Sequence, residues 1–319
     1  MKAIRVNQFG GPEVLNLEEI PKPQPSAGEV LIEVHAIGVN PVETYIRGGA
    51  NPKLKLPYTP GSDAVGAIAA LGEGVSNLAT GDRVYTSETI TGAYAEFAVA
   101  KQTAVHRLPE KISFTQGAAV NVPYATAYRA LFQRARAHIG EFVLIHGASG
   151  GVGLAAVQWG KAAGLQIIGT AGSDEGRIVV HNEGAQHVLD HRQTGYLDQL
   201  LQLTNGRGVD VIIEMLSNIN LSHDLTVLAP RGRVVIVGSR GKVEINPRDT
   251  MTREADILGL MLFSASAEDL REIHTSIYRG LSEGFLRPII GREFPLAEAA
   301  KAHTAIMESG ARGKIVLLP

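Results

Sequence analysis

The residues of this chain that most clearly imply chemistry are those of "HGASGGVG", His146 to Gly153, which follow the apolar run "FVLI" and open the small-residue segment "LAAVQWGKAAG". A strand that turns into a helix aims the helix's first free N–H groups, and the positive end of its dipole, at any anion above the turn. Side chains would obstruct that approach, which accounts for Gly150 and Gly151. In the frame G-x-G-x-x-G the first position is Ala148, with Gly147 one residue earlier, and the turn by itself is a weak signal. Behind it Gly153, Ala156, Gly160 and Ala163 form a narrow stripe without bulk, which lets a helix lie close on a sheet.

A second group of residues bears on which dinucleotide is held. A preference for NAD calls for a carboxylate at the end of the second strand, where it binds the ribose hydroxyls. That strand ends "IIGTAGSDEGR", with Thr170, Ala171 and Gly172 at its end and with Asp174 and Glu175 placed to begin the next helix. Ser173 and Arg177 lie four apart and offer a hydroxyl and a guanidinium to a 2′-phosphate. NADPH is favoured over NADH, and Asp174 is the residue that would reverse the preference.

These residues need a scaffold. From about residue 125, apolar runs recur between helical segments: "FVLIH" from Phe142, "QIIGT" from Gln166, "HVLD" from His187, "VDVIIEM" from Val209, "RVVIVG" from Arg233 and "DILGLML" from Asp256. Near-continuous Val/Ile/Leu strands alternating with helices predict a parallel sheet covered on both faces, an α/β doubly wound fold complete at six strands. The first 120 or so residues instead carry "MKAIRV", "GEVLIEVHAIGV", "AVGAIAAL", "DRVYT" and "AYAEFAV", the pattern of a compact β-rich domain. Alternate prolines in "IPKPQP" predict an extended connector. After Ser264, "AEDLREIHTSIYRGLSEG" reads as helix and "GKIVLLP" as a strand that either domain could take.

The 319 residues are 45% hydrophobic, enough for two cores of ordinary size. No apolar run approaches the roughly 18 residues of a membrane span, and "MKAIRVNQFGGP" lacks the apolar centre of a signal peptide, so a soluble, cytoplasmic protein is expected. A net charge of −2 argues against nucleic acid as the main ligand, and the local run Arg129, Arg134, Arg136 and His138 reads as a solvated helix face. The absence of cysteine removes disulfides and every thiolate metal site.

"GVNPVETYIR", "LPYTPGSD", "GDRVYTS", "GAAVNVPYATAYRAL", "HGASGGVGLA", "GTAGSDEG", "EINPRDTM" and "GARGKIVLLP" together resemble the zeta-crystallin type of NADPH:quinone oxidoreductase, within the medium-chain dehydrogenase/reductase superfamily. The resemblance covers essentially the whole chain. It implies that the tail returns to a GroES-like domain formed by residues 1–124 and 264–319, with a Rossmann domain, 125–263, inserted between. Zinc-dependent members of the superfamily carry Gly-His-Glu where this chain has "PGSD", with Ser62 and Asp63 in the His and Glu places, so zinc-independent chemistry is expected. A quinone suits that, because hydride from nicotinamide leaves an aromatic oxyanion stabilised by delocalisation.

The resemblance also implies residue roles. Tyr45, Asn40 and Thr126 would face the nicotinamide and substrate as orienting groups rather than as acid or base. Ser149 to Val152 would hold the pyrophosphate and Gly172 the adenosine end, with His191 near the 2′-phosphate. Asn220 follows the fourth strand, and Val237, Gly238, Ser239 and Arg240 follow the fifth, at the carboxyl edge where a nucleotide lies. Leu262 and Phe263 are placed at the end of the sixth strand as walls of the nicotinamide pocket. Relatives pair that strand across a two-fold axis, so a homodimer or homotetramer is expected. Reduction of α,β-unsaturated carbonyls, and an RNA-binding or crystallin-like role, are the competing readings.

Overall fold

The computed structural model describes residues 1–310 and 312–319. The first part of the chain is β-rich, with strands β1 (Lys2–Val6), β2 (Leu15–Glu19), β3 (Glu29–Val39), β4 (Ala64–Leu71), β5 (Arg83–Thr86), β6 (Phe97–Lys101) and β7 (Val105–Arg107). Pro21, Pro23 and Pro25 lie in the extended link from β2 to β3, where no ladder needs their missing N–H. Strands β2 and β7 have no clear alternation in the sequence and were not among the predicted runs.

Six parallel strands follow: β8 (Phe142–Ile145), β9 (Gln166–Thr170), β10 (His187–Leu189), β11 (Val209–Glu214), β12 (Leu228–Ile236) and β13 (Asp256–Gly259), in the order β10-β9-β8-β11-β12-β13. This is the doubly wound sheet that the alternation predicts. Helices cover it, and β11, at its centre, is buried at all six positions. The order reverses between β8 and β11, which opens a crevice at their carboxyl ends.

The last strands, β14 (Ile290–Pro295) and β15 (Lys314–Leu318), run parallel to each other, and β15 joins β3 antiparallel. The C-terminal strand therefore belongs to the first sheet, which reads β14-β15-β3-β4-β5-β7 with β6 on β3. Helix Ala267–Glu283 links the two halves: its Ile273, Ile277 and Leu281 are buried in one cluster with Tyr85 and Leu108 of the first half and Trp159 of the second. Its N-terminus is closed by a reciprocal Ser266–Asp269 capping box and its C-terminus by Gly284 at φ +86°.

Two expectations change. The sixth strand ends at Gly259, not at Leu262 and Phe263, because its partner β12 stops at Ile236, which pairs with Gly259. Leu262 and Phe263 instead form a short 3₁₀ turn, Leu262 packed in the core and Phe263 55% exposed. The basic run is not simply solvated: Arg129 pairs with Asp269 at 2.9 Å, and the Arg134 guanidinium donates to the Gly259 carbonyl at 3.0 Å.

Candidate active site

The turn after β8 is built as a cradle. Gly147 has φ +56°, and a methyl group on Gly153 would lie 2.5 Å from the Gly147 carbonyl oxygen, so both glycines are required by the fold. Gly150 and Gly151 are different. Gly150 has φ −77°, and a methyl group there would meet nothing nearer than 3.5 Å; on Gly151 the nearest atom would be Pro123 Cγ at 3.4 Å. Among the described residues nothing excludes a side chain at these two positions, so the absence of one leaves space for something from outside. The helix Gly151–Ala162 begins there with no side-chain cap among the described residues, its first amides facing the same space. The small-residue stripe seats that helix on the sheet, with Gly160 against Ile167. Ser149 is buried and Val152 half-buried.

At the end of β9, Gly172 lies beneath His191 and Arg192: a methyl group on it would come within 3.1 Å of both side chains. Ser173 and Arg177 do not form the free pair that their spacing suggests. The Ser173 hydroxyl accepts from the Gly176 amide as helix cap, and Arg177 is held by Asp190 at 3.0 Å and by Asp174. The more available guanidinium belongs to Arg192, 64% exposed, which sequence spacing did not single out. Partial burial pushes the His191 imidazole below its ordinary value.

At the carboxyl edge of β11 and β12 the predicted residues come together. Gly238 accepts from the Ser217 amide at 3.0 Å and lies so close to Met215 that a methyl group would meet its carbonyl oxygen at 2.4 Å. The Arg240 amide donates to Asn218 at 2.8 Å, and the Ser239 hydroxyl donates to the Gly241 carbonyl. Asn220 donates its amide to Glu214 at 3.2 Å, and Val237 is half-buried beside this junction.

On the other half, Tyr45 ends helix Pro41–Tyr45 and is 38% exposed, while Thr126 is buried in helix Asn121–Tyr128. Asn40 is only 1% exposed, and its amide is fully engaged. Its Nδ2 donates to Asp63 at 2.9 Å and to Glu43 at 3.3 Å, and its Oδ1 accepts from the Lys314 ammonium. Asp63 also accepts from Asn121 at 2.8 Å and lies 3.5 Å from Lys314 Nζ. Asn40 is thus a buried tie between the start of helix Pro41–Tyr45, Asp63 and the last strand.

A relay continues from there. Arg47 donates to His303 Nδ1, which leaves His303 Nε2–H to donate to the Tyr94 oxygen at 3.0 Å, and Tyr94 donates to Glu43 at 2.6 Å. Burial holds the Glu43 carboxyl up at about 7 against the lowering effect of the Tyr94 bond, and burial pushes His303 down to about 3. Burial also lowers Lys314, with Asp63 and Glu43 opposing. The N-P-V-E capping box of Asn40 and Glu43 was readable in the sequence. The partners Tyr94, His303 and Lys314 carry no local signal.

Comparison with known proteins places this geometry. Residues 26–110 match the alcohol dehydrogenase GroES-like domain, and residues 151–277 match the family described as zinc-binding dehydrogenase. Over 321 aligned residues the chain is 53% identical to a human quinone oxidoreductase, covering 100% of this chain and 98% of the human one. The chain belongs to the zeta-crystallin type of quinone oxidoreductase. Within the medium-chain superfamily it also superposes on the Escherichia coli quinone oxidoreductase solved in complex with NADPH, with a TM-score of 0.92, 30% identity and full coverage of both chains. A structure described as an NAD-dependent alcohol dehydrogenase superposes equally well, at a TM-score of 0.93 and 28% identity with full coverage of both, so the fold alone does not select the dinucleotide.

The family description that mentions zinc is not matched by the residues at the metal position. The chain has no cysteine, Ser62 stands beside Asp63, and the Asp63 oxygens already accept from two amides beside a lysine ammonium. A zinc ion would have to displace that cation and would find no soft ligand. The dinucleotide, by contrast, fits the open glycine positions of the turn.

Proposed function

We propose that the chain reduces quinones with NADPH in the cleft between its two halves, without a metal. The observation that carries this reading is the space at Gly150 and Gly151, which the fold does not need and a pyrophosphate does. Ser149, Gly150, Gly151 and Val152 would hold the pyrophosphate, and Gly172 would lie under the adenosine. His191 and Arg192 would take the 2′-phosphate, while Asn220 and Val237 to Arg240 would line the crevice. When bound, NADPH supplies a hydride. Tyr45 and Thr126 orient the quinone ring, and Asn40 stiffens the wall behind them through Asp63 and Lys314. Water would supply the final proton, which a quinol takes readily. The relatives solved in complex with NADPH support the choice of cofactor.

The division of the chain into 1–124 with 264–319 and 125–263 is part of this reading, supported by the return of β15 to β3. So is a homodimer or homotetramer through β13, whose outer edge is unpaired among the described strands and lies near exposed Met261 and Phe263. No helix among the described residues is long and apolar enough to cross a membrane. The deciding assay is NADPH oxidation in the presence of ortho-quinones, para-quinones and an enone in parallel. Quinone turnover is expected, and turnover of the enone alone would replace the reading.

A further inference from the structure

Beneath the nucleotide crevice lies a buried cluster that the reaction does not use. Glu214 ends β11, Asp224 lies on helix Ser217–Val227, and His146 follows β8; the two carboxyl groups are 0% exposed and His146 is 3% exposed. One ligating atom from each lies within 4.8 Å of the others. His146 Nε2 is 2.8 Å from Asp224 Oδ1, to which it donates, and 3.5 Å from Glu214 Oε2. Glu214 Oε1 accepts from the Leu216 amide and from Asn220 Nδ2, the latter at 3.2 Å. Two buried oxygens, Glu214 Oε2 and Asp224 Oδ2, have no hydrogen-bond donor among the described residues. Two carboxylates left in this state would be strongly destabilised, and a single proton between them supplies one with a donor and the other with a partner.

We propose that Glu214 and Asp224 share one proton, that this proton fixes Asn220 at the crevice, and that NADPH binding is therefore accompanied by proton uptake. The coupling rests on the reading of the crevice as the NADPH site. Burial and the neighbouring Asp224 raise the Glu214 carboxyl to about 7, with His146 opposing; the Asp224 and Glu214 carboxylates raise His146 against the effect of its burial. The other titratable groups facing the cluster are Tyr196, on helix Tyr196–Leu203, and His191, after β10; burial raises the first and lowers the second, so both are neutral near pH 7. With the shared proton the cluster holds one carboxylate charge instead of two. Without it a net negative charge sits beneath an anionic dinucleotide, so binding and protonation favour each other.

The test compares wild type with Glu214→Gln, which keeps an acceptor for Leu216 and Asn220 and offers a permanent amide donor to Asp224. NADPH dissociation constants are measured by fluorescence from about pH 7 to about pH 9, above the range in which a phosphate monoester titrates. The wild-type constant should rise with pH, by at most about tenfold per unit at its steepest, and more steeply than the variant's, in which only His146 of the cluster is left to titrate. Calorimetry in two buffers of different ionisation enthalpy should show more proton uptake in the wild type than in the variant. Parallel pH profiles, or wild-type binding without proton uptake, would overturn the proposal. Asp224→Asn, which removes the like charge and one partner of the shared proton but leaves Glu214 buried, should make the profile less steep than in the wild type and serves if Glu214→Gln does not fold. Failure of NADPH to bind at any pH would overturn the cofactor reading and the coupling with it. The shared proton is then judged without cofactor: infrared spectra should show a protonated carboxyl in the wild type that Glu214→Gln lacks, and its absence overturns that part too.

Discussion

The Lys314 ammonium donates to the Asn40 side-chain oxygen Oδ1 across 274 residues of sequence, and in doing so it ties the last strand to the start of the helix that ends in Tyr45. Gly313, beside it, donates its amide to the Ser149 carbonyl at 2.8 Å, so the same short segment touches the glycine turn. Lys314→Met would leave Asp63 a buried carboxylate without its cation. Such a loss costs about 3–5 kcal/mol. Urea denaturation should register it, and a second change, Asp63→Asn, should recover part of the loss; additive effects of the two changes would contradict the pairing.

The glycines of the turn should separate into two kinds. Gly150→Ala should leave stability within about 1 kcal/mol, since φ is ordinary and no atom is crowded, while NADPH affinity falls about tenfold or more. Gly153→Ala forces a methyl group onto the Gly147 carbonyl and should lower the melting temperature instead. Thermal unfolding measured beside cofactor titration distinguishes the two outcomes.

Arg192, not Arg177, should set the preference for the phosphorylated cofactor. Arg192→Ala should weaken NADPH by about 1.5–3 kcal/mol and leave NADH nearly unchanged. Arg177→Ala removes the closer of the two guanidinium partners of Asp190 and should act mainly on stability. Titration of both cofactors against both variants tests this.

Acid should unfold the protein through its buried histidines. Burial lowers His303 to about 3 and His274 to about 4, so each is neutral in the fold but takes a proton when unfolded below its ordinary value of 6.5. The sign follows: their stabilisation is present above pH 6.5 and is lost as pH falls toward those lowered values, at up to about 1.4 kcal/mol per pH unit for each. Denaturation curves at several pH values should show this slope, reduced in His274→Gln.

Periodicity and glycine spacing were sufficient for the Rossmann half because parallel strands buried on both faces must be continuously apolar, and that pattern is local. The six runs from Phe142 to Asp256 each became a strand of one sheet. What failed was also local in form but not in cause: "DILGLML" carries no polar side chain after Asp256, yet its strand stops at Gly259 because β12 offers no further partner. Ser173 and Arg177 have the right spacing for a shared ligand, but a helix N-terminus and Asp190 claim them first.

The sequence by itself determined the class of fold, the position of the glycine turn and the lack of thiolate ligands, since these follow from side-chain type and near-neighbour spacing. Only the tertiary structure decided that Asn40 is buried behind the site, that Lys314 sits beside Asp63, and that Glu214 and Asp224 meet under Asn220. Hydrogen bonds and charge pairing in a buried place depend on which distant segments are brought within a few ångströms, and no local pattern records that.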